Sequence, residues 1–134
     1  MIEGLWRGAV GAMAMTGVRV LSTELGLVER PPPQAMVRET GLLRAVPPER
    51  LRAAEELAHW TYGAGGGAVF GMLPGLLRSR PWAGPLYGLG LWLGFEAAIA
   101  PVLGLRHSQE PRPLERLAFA ADHTVYGLVV GRGR

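Results

Sequence analysis

The stretch HWTYGAGGGAVFGMLPGLL, residues 59–77, decides the fold. After His59 it carries no ionisable side chain except Tyr62, and Gly63, Gly67, Gly71 and Gly75 recur at four-residue spacing. An uncharged apolar run of this length matches the ~20 residues that cross a bilayer as a helix. A small-residue ridge at i, i+4 lets one helix backbone approach another closely, the usual way helices pack in lipid. The same signature recurs along the chain. Trp82–Leu105 contains one charged residue, Glu96, and short ladders appear as Gly4-Gly8-Ala12, Gly84-Gly88, Gly90-Gly94 and Gly127-Gly131. A soluble helix of this size needs a polar face, which these segments lack.

Four spans are therefore expected, at roughly 5–26, 56–78, 83–104 and 114–131, in a single domain covering residues 1–134, with a long loop over 29–55. The fold class is all-α, a four-helix transmembrane bundle in the cell (inner) membrane. Twenty glycines in 134 residues, about twice the usual share, suit that class. Glu3 and Arg19 disrupt the pattern of a cleavable signal peptide, so the first segment is kept as a span. Trp6 and Trp82 fall at segment ends on one side and Trp60 on the other, as interfacial aromatics do.

The side that holds both termini is called side A, and the side with the long loop and the Arg106–Pro113 loop is side B. Side B carries eight arginines and side A five, but those of side A lie in shorter segments, so charge alone leaves the orientation open. Within the long loop, Arg30-Pro-Pro-Pro33 reads as a rigid exit, Gln34–Thr40 as a short interfacial helix, and Pro47-Pro48-Glu49 as a helix start. Pro101 is expected to loosen the third helix near Ala97.

Two features are doubled. His59-x-x-Tyr62-Gly63 matches His123-x-x-Tyr126-Gly127, and Leu25-Gly26-Leu27 matches Leu103-Gly104-Leu105. In each half a helix ends at Leu-Gly-Leu, with glycine as its C-cap, and the next enters at His-x-x-Tyr-Gly. The chain thus reads as two tandem helical hairpins in a parallel pseudo-repeat, with His59 and His123 as symmetry mates.

Composition excludes several chemistries. There is no cysteine, hence no disulfide or thiolate site, and no lysine, hence no Schiff base. The net charge of +3 comes from scattered arginines, which suits lipid headgroups and not nucleic acid. Gly63-x-Gly65-x-x-Ala68 imitates a dinucleotide fingerprint, but no strand precedes it. No catalytic signature is spelled out, so an enzyme is not the expected reading, and no cofactor is called for.

What remains is a polar intramembrane cluster. Arg19, Glu24, His59, Glu96, Asp122 and His123 all fall in the side-B half, where charges normally face inward and pair. Arg19 is expected to pair with Glu96 or Asp122, and Tyr62 and Tyr126 to support the histidines. The cluster reads either as a proton, ion or small-solute site, since histidine titrates near neutrality, or as internal ties of an accessory subunit. In the second case, a second copy or another membrane protein packs on the glycine ridges. A third reading is a metal-dependent membrane enzyme. Glu56-x-x-His59 has di-iron spacing, with Glu24 and Glu96 on other helices, but Ala120 stands where the second Glu-x-x-His needs its acid.

The RGAVG run at 7–11, MVRE at 36–39 after the prolines, GPLYGLGLW at 84–92, PVLGL at 101–105 and the two His-x-x-Tyr-Gly frames together resemble the YagU-like class of small, uncharacterised bacterial inner-membrane proteins. That resemblance spans Arg7–Gly131. It implies a four-helix membrane fold and carries no assigned activity or catalytic residue.

Overall fold

The computed structural model of the chain describes residues 2–28, 41, 43, 45–102, 104 and 112–132. These form helices α1 (Ile2–Glu24), α2 (Pro48–Met72), the single turn α3 (Gly75–Arg78), α4 (Ala83–Gly94), a π turn at Phe95–Ile99 running into α5 (Ala100–Val102), and α6 (Pro113–Gly131), with no strand among the described residues. The protein is all-helical. The stretches proposed as a proline exit at Arg30–Pro33 and a helix at Gln34–Thr40 lie outside the described residues.

Helix α1 buries Gly8, Gly11, Ala12, Met15, Arg19 and Ser22, a stripe at helical period. It ends as a Schellman motif. Gly26 has φ +70, its N–H bonds the Thr23 carbonyl at 3.0 Å, and the Leu27 N–H bonds the Ser22 carbonyl at 2.9 Å. Gly104, its counterpart, has φ +68. Helix α2 starts at Pro48, as the Pro-Pro-Glu signal predicts, so residues 48–55 are helical and the loop is shorter than 29–55.

The second segment does not continue as one helix to residue 78. Pro74 offers no N–H and forces Leu73 to an extended ψ of 150, which stops α2 at Met72. Arg78 covers the exposed end by donating from Nε to the Leu73 carbonyl at 2.9 Å. In the third segment the ladder widens to i→i+5, the Ala100 N–H bonding the Phe95 carbonyl. Pro101 removes the bond to the Ala97 carbonyl at the same place, so the loosening falls where the sequence put it.

Helices α1 and α2 form one antiparallel hairpin, α4 and α6 a second, and α1 also packs along α6. Both hairpins close backbone to backbone. A Cβ on Gly67 would lie 2.6 Å from the Gly8 Cα, and one on Gly84 would lie 3.0 Å from the Gly131 Cα. Gly8 stands on the Gly63 carbonyl and Gly84 on the Gly127 carbonyl, so the two hairpins share one register. Gly8 precedes Gly84 by 76 residues, but Gly26 precedes Gly104 by 78. The π turn accounts for one of the two extra residues.

Not every ladder faces inward. Gly65, Gly75, Gly90 and Gly94 have nothing within 4 Å of an added Cβ, so the Gly90-Gly94 ridge meets no helix among the described residues. The core is small: among the described residues eight apolar ones are buried, whereas twenty-two large ones stay exposed, among them Leu21, Val69, Leu86, Leu93 and Leu117. Ala83–Val102, twenty residues, is long and apolar enough to cross a membrane, and it is the one described helix that is.

Candidate functional site

The packing of the hairpins on each other is lopsided. Tyr126, only 2% exposed, lies between α6, α1 and α2, and its hydroxyl donates to the Gly63 carbonyl at 2.6 Å. Its ring rests on Gly11 and its oxygen on Gly66, where an added Cβ would come within 2.8 Å of each. The hydroxyl thus goes to a backbone carbonyl and not to a histidine. In the shared register the counterparts of Gly11 and Gly66 are Tyr87 and Val130. Tyr62, the mate of Tyr126, has no glycine bed to lie in and is 54% exposed. Bulk replaces glycine on one side only. The α1–α6 seam closes while α2 and α4 splay apart.

The helices α2 and α4 meet toward side A, where the Tyr87 hydroxyl donates to the Gly66 carbonyl at 2.6 Å and its ring tilts against Phe70 at 5.1 Å. Toward side B they part around a cavity of about 340 Å³. Every long helix contributes to its wall: Met15, Arg19 and Ser22 from α1, and Glu55, His59 and Tyr62 from α2. Leu91, Trp92, Phe95, Glu96 and Ile99 come from α4 and its π turn, and Phe119, Asp122, His123 and Tyr126 from α6. The π turn thus turns Phe95 and Glu96 onto the cavity, a common use of such turns.

Five of the six residues singled out in the sequence line this one cavity; Glu24 is exposed at the end of α1 and takes no part. Arg19 does not pair with Glu96 or Asp122. Its Nη2 donates to Glu56 Oε1 at 2.5 Å, and Glu56 Oε2 accepts from Thr16 Oγ1 at 2.9 Å. The α1–α2 seam brings Glu56 beside Arg19, whereas Glu96 and Asp122 sit on the other hairpin. Trp60 joins this network by donating from Nε1 to Thr16 Oγ1 at 3.0 Å. The guanidinium is thereby committed.

Asp122 is 8% exposed, and its Oδ1 has no hydrogen-bond partner among the described residues; His59 Nδ1 and Trp92 Nε1 share that condition. A buried polar atom without a partner costs about 1–3 kcal/mol, more when charged. His123 Nδ1 lies 2.9 Å from the Phe119 carbonyl oxygen, which only accepts, so Nδ1 carries a proton and Nε2 keeps its lone pair in the neutral ring. No group of three or more His, Asp or Glu side chains among the described residues is arranged to hold a metal, and Glu56 is engaged by Arg19 and Thr16.

Glu55, Trp92, Phe95 and Phe119 also line the cavity and were not among the residues singled out in the sequence. Glu55 sits four residues before His59 and Phe119 four before His123, so both fall on the histidine-bearing face. That spacing was the available signal. No family model, curated protein or solved structure matches the chain.

Proposed function

We propose that the chain is a multi-pass inner-membrane protein whose side-B cleft binds a small solute within the bilayer. The four long helical runs, α1, α2, α4 with its π turn and α5, and α6, serve as the spans, arranged as two tandem hairpins of one parallel repeat. The inverted distribution of side chains supports this, with glycine and alanine inside and large apolar residues outside. The Ala83–Val102 run supports it by length and composition. The YagU-like resemblance agrees with such a fold and adds no activity.

The observation that carries the solute site is Asp122, a buried carboxyl with an unsatisfied oxygen on the wall of a 340 Å³ cavity. Structural ties are expected to satisfy one another, as Arg19, Glu56, Thr16 and Trp60 do here. Asp122 is left for a guest, which is either a proton or a solute. The test is reconstitution into liposomes loaded with a pH indicator, followed by imposition of a pH gradient or of solute gradients. Flux above that of empty liposomes, lost in Asp122→Asn and reduced in the combined His59→Ala, Glu96→Gln, His123→Ala variant, is expected. Flux equal to that of protein-free vesicles for every solute removes the reading.

The exposed Gly90-Gly94 ridge favours a second role, as an accessory subunit with a partner helix of another chain or a second copy laid on it. Purification in mild detergent as a lone monomer, with no cross-link at Gly94→Cys, counts against that role.

A further inference from the structure

We infer that the guest of the cleft is a monovalent organic cation with an apolar body, an amine or quaternary ammonium amphiphile taken sideways from the bilayer. The inference rests on the reading of the cleft as a solute site and names the ligand class.

Charge selects the sign. Among the described residues the wall carries Glu55, Glu96 and Asp122 against Arg19 alone. Arg19 is already spent on Glu56, a fourth acid next to the wall, while His123 presents a lone pair in its neutral form. An anion entering here meets three carboxyl groups on the wall against one guanidinium that is already paired with an acid. A cation meets the Asp122 side chain on the wall, whose Oδ1 has no hydrogen-bond partner among the described residues. The attraction strengthens as a charge is withdrawn from water, and Asp122 is only 8% exposed.

Shape and polarity select the body. Beyond those charges the wall is mostly apolar and includes Leu91, Trp92, Phe95, Ile99, Phe119 and Tyr126. Aromatic faces attract an ammonium through their quadrupole and accept its alkyl groups by dispersion. A volume of about 340 Å³ lies at the small end of the ~300–1,000 Å³ range of small-molecule sites, which fits a single-ring or short-chain amphiphile and not a whole lipid.

The route follows from the splayed seam. Tyr62, 54% exposed, stands where α2 and α4 part, and Leu57, Leu93 and Ile99 are exposed on those two helices. An amphiphile dissolved in lipid enters between them, with its charge leading toward Asp122.

The test uses the full-length protein in maltoside micelles and isothermal titration calorimetry with three probes of one shape. Benzyltrimethylammonium carries the positive charge, neopentylbenzene is its neutral carbon isostere, and phenylacetate is the anion. Saturable binding of benzyltrimethylammonium is expected, weakened roughly thirty-fold or more in Asp122→Asn, the scale of removing one partner of a buried charge pair. Glu24→Gln, altered outside the cleft, should bind as the parent does, and Trp92→Leu should bind several-fold more weakly with an unchanged circular dichroism spectrum. Equal binding of the neutral isostere, indifferent to Asp122→Asn, overturns the cation inference while leaving an apolar solute site. Preference for phenylacetate overturns it as well. Absence of binding by all three also overturns it, whereas the reading as a solute site stands or falls on the liposome flux.

Discussion

Replacing Gly67 by alanine tests the backbone seam on which the whole arrangement hangs. The added Cβ would lie 2.6 Å from the Gly8 Cα and 2.7 Å from the Gly8 nitrogen, both backbone atoms that no rotamer change can move. Carbon atoms sit comfortably at ~3.5–4.0 Å, so α1 and α2 must part by roughly 1 Å. A gap of 0.5–1 Å forfeits about a quarter to a half of each dispersion contact along the seam, and overpacking of this kind costs ~1–3 kcal/mol. The higher helix propensity of alanine returns up to ~1 kcal/mol, leaving a net loss of ~1–2 kcal/mol. The control is Gly65→Ala, two residues away in the same helix, where an added Cβ meets nothing within 4 Å. Only the propensity gain applies there, so its stability should be unchanged or higher. Gly127→Ala, whose Cβ would lie 2.7 Å from the Gly84 carbonyl carbon, should repeat the loss in the second hairpin. Reversible unfolding in mixed micelles with increasing dodecyl sulfate, read by far-ultraviolet circular dichroism, gives the differences. Equal midpoints for Gly67→Ala and Gly65→Ala would refute the seam.

Other consequences are open to measurement. A double-mutant cycle on Arg19→Ala and Glu56→Gln should show coupling of about 1.5–3 kcal/mol, the range for hydrogen bonds to charged groups, whereas a cycle of Arg19→Ala with Glu96→Gln should show less. Tyr126→Phe removes the bond to the Gly63 carbonyl and should cost ~0.6 kcal/mol and no more than ~1.7, as interhelical bonds in lipid do. Because the chain has no cysteine, single cysteines report cleanly: Tyr62→Cys should react quickly with a lipid-soluble maleimide and Tyr126→Cys slowly, in keeping with their exposures of 54% and 2%. Equal rates would contradict the lopsided cleft.

Much of the helical frame was legible in the sequence because it rests on local chemistry. Gly26 and Gly104 cap helices since only glycine enters the left-handed region without strain, and Pro48 opens α2 because a first-turn residue needs no N–H. Pro74 carried the same kind of signal against a helix running to residue 78, and the apolar run masked it. Which ridge packs against which helix was not legible. Gly84-Gly88 and Gly90-Gly94 are alike as patterns, yet the first meets Gly127 and the second meets nothing among the described residues. Six residues turn a helix by about 240°, so the two ridges face different ways and only the register chooses between them.

The site shows the same division. Helical depth grouped Arg19, Glu24, His59, Glu96, Asp122 and His123 in one half of the bundle, and all but Glu24 line the cavity. The partner of Arg19 depended on seam geometry, because Glu56 meets it across the α1–α2 seam while Glu96 and Asp122 sit on the other hairpin. The unequal fates of Tyr62 and Tyr126 were written in Gly11 against Tyr87 and Gly66 against Val130, a comparison that has meaning once the common register is known.

The proposed site centres on the Asp122 carboxyl, whose Oδ1 has no hydrogen-bond partner among the described residues. Dicyclohexylcarbodiimide, which reaches carboxyl groups through an apolar phase, should be added to the protein in liposomes, and the modified peptides identified by mass spectrometry. Modification at Asp122, slowed by benzyltrimethylammonium and abolished in Asp122→Asn, is the predicted result. Label confined to exposed acids such as Glu24 and Glu49, with Asp122 unmodified, would contradict the account.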